Sequence, residues 1–407
     1  HPPAMGGTGS KDGEGPFGCN PSLCPADTFF DPRIGASPPS VGAVKSSRRR
    51  LSVARVEAAA PVGEAATAPK AVKRGDKLLD LYPLETAKCC RRMSVSGQRN
   101  TQVEQSFANK KVKVGGSTAT TAKTDRGTAF ACKKGLKPES PNQDDFSIFE
   151  SGDEEQFSIY AVMDGHGPHG HNVSNFVQGA LMELLVRVAP DEEDLAVALK
   201  TAFQHTAARV RSCHNEHFDA LASGCTVTVA VTRGTELFTA HLGDSRAVAG
   251  YRDGRGGLKA VALTSDHKPE IVAEKARILR SGGEVKRLEG DVPHRVFKKD
   301  CPFPGLAMSR AMGDLLAQEV GVIDVPEINR YMITGDMRVI VLCSDGVWEF
   351  VSDEEAIKIV AKHGPGKAAE AAEELASVSW DRWIAEEEDV VDDITAVVVW
   401  LHGLEDG

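Results

Sequence analysis

The sequence predicts an α+β layered domain behind a long irregular leader, and three observations carry that prediction. Short runs rich in Val, Ile, Ala and Phe recur from residue 128 onward. Neighbouring runs such as those around Thr232 to Glu236 are joined by turns too short for a crossover helix, so they read as antiparallel hairpins and not as βαβ units. Between the runs lie stretches with apolar residues at three-to-four spacing, the period of amphipathic helices. Strands in runs and helices in runs together imply layers of antiparallel sheet and helix.

Taken in order, β-type runs fall at 128–132, 145–149, 157–163, 224–232, 236–242, 244–250, 338–343 and 394–401. Helical patterns fall at about 171–189, 191–213, 269–281, 353–363 and 367–388. In the first of these, Val173, Phe176, Val177, Ala180, Leu181, Leu184 and Leu185 make one apolar stripe. Ser352 followed by Glu355 predicts an N-cap with a reciprocal capping box. "HGPGKAAE" (363–370) reads as a connection between two helices. No internal repeat is present.

Residues 1–125 differ in texture. They are rich in Gly, Pro, Ser and Ala, and up to about residue 70 they are too poor in apolar residues to offset the entropy of ordering. A short ordered piece is expected near "DKLLDLYPLETAKCC" (76–90). Charge divides at the same place. Residues 1–125 hold 19 Lys and Arg against 11 Asp and Glu, whereas the remainder holds 29 against 47. An acidic body argues against nucleic acid as its ligand, because a phosphate backbone needs the opposite sign. The chain has no apolar run of ~18 residues to span a membrane as a helix. Its nine cysteines contain no CxxC pair, which fits a reducing compartment better than a disulfide framework or a zinc site.

The chemistry is concentrated where apolar runs meet aspartates. "AVMDGHGPHG" (161–170) ends a strand in Asp164, Gly165 and His166. Asp144 and Asp145 open the run at 145, Asp244 lies in the turn between two strands, Asp345 ends the run at 343, and Asp392 and Asp393 precede the last strand. One such aspartate is a turn residue. Five at strand edges would repel one another if brought together, unless cations lie between them. Mg²⁺ and Mn²⁺ prefer such oxygen ligands. No G-x-S-x-G elbow, no GxxxxGK[ST] loop and no His/Cys cluster at zinc spacing offers a competing chemistry.

"KKGLKPESPNQDD", "VMDGHGPHG", "SGCTVTVAVT", "LGDSRAVAG", "LTSDHKP", "GLAMSRAMGD", "CSDGVWEF" and "DDITAVVV", in this order, resemble the protein phosphatase 2C family of metal-dependent serine/threonine phosphatases. The resemblance runs from about Arg126 to Leu401 and implies a catalytic domain over 126–402. It implies two stacked antiparallel β-sheets flanked by helices, with a flap subdomain within about 266–305. It also implies two Mg²⁺ or Mn²⁺ ions held by Asp164, the Gly165 carbonyl, Asp345 and Asp392, with Asp144 acting mostly through water. A third, weaker metal site would use Asp244 and Glu349, where many relatives carry aspartate in place of Glu349. The implied reaction is hydrolysis of phosphoserine or phosphothreonine in proteins, with metal-activated water attacking phosphorus and His166 giving a proton to the leaving group. His169 and His171 read as helix-start or surface residues, and Asp314 as mainly structural. The family's basic phosphate clamp has no arginine at its spacing here, which leaves Lys137 or Lys134.

"MGGTGSK" (5–11) matches an N-myristoylation signal at Gly6 if Met5 is the native start, with His1 to Ala4 an expression scar. Cys19, Cys24 and the basic run "SSRRR" would supply the second membrane signal that one acyl chain needs. "RRRLS" and "RRMS" resemble basic-directed kinase sites at Ser52 and Ser94. The expected protein is a cytoplasmic monomer, attached peripherally to membrane through its leader, with a nuclear location left open. The alternative is a catalytically silent relative that binds partners through the same fold; retention of Asp164, Asp345, Asp392 and His166 favours the enzyme.

Overall fold

The computed structural model describes residues 91–94, 106–107, 112–114, 117–119, 127–150, 157–190, 192–214, 216–291 and 293–401. The expected ordered piece at 76–90 and the lipid signals at Gly6, Cys19, Cys24 and 46–50 lie outside them. Two large antiparallel sheets form the centre. The first runs in the order Glu327–Met332, Glu236–Leu242, Val227–Arg233, Phe157–Met163, Asp145–Glu150, Arg91–Ser94, Val112–Val114 and Ser117–Ala119. The second runs Leu258–Ala262, Arg246–Arg252, Met337–Cys343, Ile394–Trp400 and Thr128–Lys133.

Both faces of the central strands are buried, and the period of two sorts their side chains between two cores. In Phe157–Met163, the residues Phe157, Ile159, Ala161 and Met163 pack under the helices Gly170–Val188 and Leu195–Cys213. Tyr160 and Val162 point the other way, into a core shared by the two sheets. Ile394–Trp400 mirrors this arrangement: Val397 and Val399 enter the shared core, while Ile394, Ala396, Val398 and Trp400 meet the helices Asp353–His363 and Ala368–Glu387. The architecture is therefore the helix–sheet–sheet–helix sandwich that the family resemblance implies. Burial on both faces explains why these strands read as near-continuous apolar runs.

Differences from the predicted elements follow from exposure. Leu258–Ala262 and Glu327–Met332 are edge strands with half-exposed faces, so they carry no clean alternation and went unpredicted. The second helix begins at Leu195, four residues later than expected, where the Asp194 side chain accepts the Ala196 N–H at 2.9 Å. The capping box at Ser352 is half made. Ser352 Oγ accepts the Glu355 N–H at 3.3 Å, but the Glu355 carboxylate pairs with Arg382 instead of reaching back. Three short strands within the leader, Arg91–Ser94, Val112–Val114 and Ser117–Ala119, extend the first sheet beyond Asp145–Glu150. They borrow order from an existing strand edge, which leaves no periodic signal of their own.

Beside the sandwich, the helix Val272–Arg280 and the strands Gly283–Arg287, His294–Lys298 and Pro304–Leu306 form a small subdomain with its own apolar core around Ile278, Val296 and Val320. Glu274 fastens it: its carboxylate accepts from Arg277 and Arg310 at 2.7 Å each and from Ser309 Oγ at 2.6 Å. Among the described residues no helix is long and apolar enough to cross a membrane.

Candidate active site

The registers place the singled-out aspartates at one end of the sandwich. Asp145 lies opposite Met163, Arg246 opposite Cys343, and Cys343 opposite Ala396, so the segments bearing Asp144, Asp164, Asp244, Asp345 and Asp392 all emerge together. Burial raises the Asp164 pKa well above the carboxylate range, and the charges of Asp144, Asp345, Asp392 and Asp244 raise it further. Residues from both sheets thus act on one carboxylate.

The turn at Asp164 is held on every side. The Asp164 N–H donates to Thr226 Oγ1 at 3.0 Å, and its carbonyl accepts the Thr226 N–H at 2.8 Å. The Gly165 N–H donates to the Gln143 carbonyl at 3.2 Å, and Gln143 Nε2 donates to the Gly167 carbonyl at 2.8 Å. Gln143 is therefore a brace beneath the turn. Asp144 is fully buried, and one of its oxygens accepts from Ser344 Oγ at 2.8 Å and Thr395 Oγ1 at 2.7 Å. It ties together the segments that carry Asp345 and Asp392. Burial and the neighbouring Asp393 push its pKa upward.

Asp393, one residue from a predicted ligand, does different work. Its two oxygens accept the Gly135 and Gln143 N–H groups at 2.8 Å each, which fixes the loop before Asp144. Asp392 pairs with Lys137. Burial works against the Lys137 ammonium, but Asp392 and Asp393 outweigh it and hold its pKa above the usual lysine value. Lys134 is fully buried, with Nζ donating to the Lys137 carbonyl at 2.7 Å and the Gly135 carbonyl at 3.3 Å. It shapes the loop, whereas Lys137 is the partly exposed ammonium at the cluster.

Asp244 is buried and pairs with Lys268. Glu349 is not among the charges acting most strongly on Asp164; it follows the one-turn helix Asp345–Trp348 and lines a cavity of about 410 Å³ with Arg246, Trp348 and Asp353.

His166 has a partner that sequence reasoning assigned to structure alone. Gly165–His166, Gly224–Cys225 and Met312–Gly313 form a sheet of two-residue strands. That sheet sets Asp314 Oδ2 2.6 Å from His166 Nε2. Asp314 sits at φ 50°, an uncommon region for a non-glycine residue in which aspartate is enriched. Burial opposes the imidazolium, yet Asp314, with Asp244 and Asp345 beyond it, raises the His166 pKa above its ordinary value. His169 occupies the N-cap position of Gly170–Val188 without a side-chain capping bond.

The donor set tests which ions fit. Five carboxylates and the Gly165 carbonyl are all hard oxygen ligands, converging from distant segments and destabilising one another's charge. That is a set suited to Mg²⁺ or Mn²⁺ and not to a soft metal.

A family model described as Protein phosphatase 2C matches residues 134–384. Probable protein phosphatase 2C 72 of Arabidopsis thaliana is 35% identical over 277 residues, 65% of this chain and 82% of that protein. Probable protein phosphatase 2C 64 of Oryza sativa subsp. japonica is 37% identical over 271 residues, 64% of this chain and 63% of the relative. Among solved structures, serine-threonine phosphatase 2C from Toxoplasma gondii shares the fold with a TM-score of 0.59 at 22% identity, covering 68% of this chain and 94% of that one. The match over residues 134–384, more than half of the chain, makes this chain a member of the protein phosphatase 2C family.

Proposed function

We propose that this chain removes phosphate from phosphoserine and phosphothreonine in proteins, using divalent ions at the Asp164 cluster and His166 as the general acid. The observation that carries the reading is the convergence of Asp144, Asp164, Asp244, Asp345 and Asp392 beside a histidine held by Asp314. Asp164, the Gly165 carbonyl, Asp345 and Asp392 would hold two Mg²⁺ or Mn²⁺ ions, with Asp144 behind them and a third ion near Asp244 and Glu349. When bound, such ions supply Lewis acidity that activates water and neutralises charge on the phosphoryl oxygens.

The remaining roles belong to this chain's own groups. Asp314 keeps the His166 imidazole oriented and favours its protonated form, so that a proton is available for the departing serine or threonine oxygen. Thr226, Gln143 and the short strand Gly165–His166 fix the turn, so the acid and the carboxylates hold their spacing without reorganisation during the reaction. Lys137, whose ammonium lies against Asp392 at the edge of the cluster, would be the cation that meets the substrate phosphate. Phosphate release from a phosphothreonine peptide, measured with Mn²⁺ against EDTA, tests the reading; turnover that persists undiminished in EDTA contradicts it.

The leader reading rests on the motif at Met5 to Lys11 together with Cys19, Cys24 and the basic run at 46–50. Myristate on Gly6 with that second signal would give a cytoplasmic monomer peripheral attachment to membrane, and mass spectrometry of the protein from its own cell showing a bare Gly6 overturns it.

A further inference from the structure

Arg91–Ser94 reads "RRMS", with arginines three and two residues before a serine, the spacing of a basic-directed kinase site. In the fold these same four residues are a strand with a neighbour on each side, Asp145–Glu150 and Val112–Val114. Against the first, the register sets Arg91 opposite Glu150, Met93 opposite Ile148 and Ser94 opposite Ser147. Against the second, it sets Ser94 opposite Lys113. Asp145–Glu150 begins directly after Asp144, so the motif is laid along a strand that leads into the candidate site.

The body's side of this register is dry. Ser147 is fully buried, and its Oγ accepts from Gln178 Nε2 at 2.6 Å, a residue of the helix Gly170–Val188. Asp145 stands two positions along and therefore on the same face. It is buried beneath the same helix, where Ser174 Oγ donates to it at 3.3 Å. A phosphoryl group brings ~1.5 to 2 negative charges that need hydration or paired cations. At this register the neighbours on one side are buried and include an acid, and the other side offers one lysine. The lost hydration is not made good there.

We propose that Ser94 is a phosphorylation site whose modification and whose pairing in the sheet exclude each other, so that phosphate there releases the strand Arg91–Ser94 from Asp145–Glu150. The step is a transfer from ATP: Ser94 Oγ bonds to the γ-phosphorus, the bond to ADP breaks, and the hydroxyl proton passes to the kinase. A kinase must take the serine into its own active site, in line with that phosphorus, which a strand paired on both sides does not permit. It therefore acts on the unpaired form, and the charge it leaves keeps the strand from returning. The leader has a second hold at Phe107. The Phe107 N–H donates to the Lys134 carbonyl at 2.7 Å, and its ring meets Trp380 edge-on with centroids 4.9 Å apart. A released Arg91–Ser94 is thus tethered to the body, and loss of the phosphate lets it pair again.

The test treats the full chain and a peptide of residues 88–98 with cyclic-AMP-dependent protein kinase and the γ-thio analogue of ATP, whose thiophosphate product resists phosphatases. Fragmentation mass spectrometry should place thiophosphate on Ser94 in both, about tenfold more slowly in the chain, because only its unpaired fraction is a substrate. After EDTA stops the kinase, the amides of Asp145–Glu150 that pair with Arg91–Ser94 should exchange hydrogen about tenfold faster in the modified chain than in the untreated one. Kinase-treated Ser94→Ala, in which Ser52 is still open to modification, should exchange like the untreated chain. A peptide or a chain that takes no thiophosphate on Ser94, or equal rates in the two, overturns the proposal. So does exchange that is unchanged or slowed by the modification, or that quickens equally in Ser94→Ala.

Discussion

Asp314 Oδ2 lies 2.6 Å from His166 Nε2, although the two residues are 148 positions apart. With His166 as the proposed general acid, the contact would make Asp314 its positioning residue. Its removal should be felt only where the leaving group needs a proton. With a phosphothreonine peptide, Asp314→Asn and His166→Gln should each lower kcat by about 100-fold, the usual scale of general acid catalysis. With an aryl phosphate whose leaving group departs unprotonated, both should stay within about tenfold of the unaltered enzyme. Equal losses on both substrates contradict the assignment.

Gly224 is where this pairing is easiest to disturb. A Cβ at that position would stand 2.1 Å from Asp314 Oδ2. The same Cβ would stand 2.8 Å from the Met312 carbonyl oxygen, so Gly224→Ala should push Asp314 off His166 and reproduce the substrate-dependent loss of Asp314→Asn at a cost in thermal stability. Retention of full peptide turnover would show that the pairing does not matter.

Two neighbouring lysines should separate cleanly. Lys137→Met should raise KM for the phosphopeptide by about tenfold, the loss of one charged contact. Lys134→Met should leave KM in place but lower thermal stability, because two loop carbonyls lose their donor at a cost of about 1–3 kcal/mol. Steady-state kinetics and a melting curve on each variant decide the matter.

Glu274 gives a pH-dependent term to stability. Burial opposes its charge, but Arg277, Arg310 and Ser309 outweigh that and hold its carboxyl well below the usual range. The stabilisation is complete above the unfolded glutamate value of ~4.3 and is lost as pH falls through the folded one. Glu274→Gln should cost about 3 kcal/mol at pH 7 and flatten the acid limb of the stability profile. Denaturant melts of both proteins between pH 3 and pH 7 would show it; parallel profiles would contradict it.

The strand ends that announced Asp144, Asp164, Asp244, Asp345 and Asp392 were legible because each aspartate interrupts a run buried on both faces. The role of Asp314 was not, since it depends on a sheet of two-residue strands, too short for any period to show. Asp392 and Asp393 are indistinguishable as letters; only the folded loop sends one towards Lys137 and the other towards backbone amides. Lys134 and Lys137 were equally indistinguishable until burial separated them. The edge strands and the strands of the small subdomain left no pattern because half-exposed strands mix polar and apolar residues freely.

In the proposed mechanism the converging carboxylates would hold the ions that drive phosphate release. The measurement is turnover of a phosphothreonine peptide by the unaltered protein and by Asp345→Asn, each with Mn²⁺ and with EDTA. The account predicts Mn²⁺-dependent release that EDTA abolishes and that falls at least 100-fold in the variant, a transition-state loss of about 2.7 kcal/mol. Undiminished turnover in the variant, or in EDTA, would contradict it.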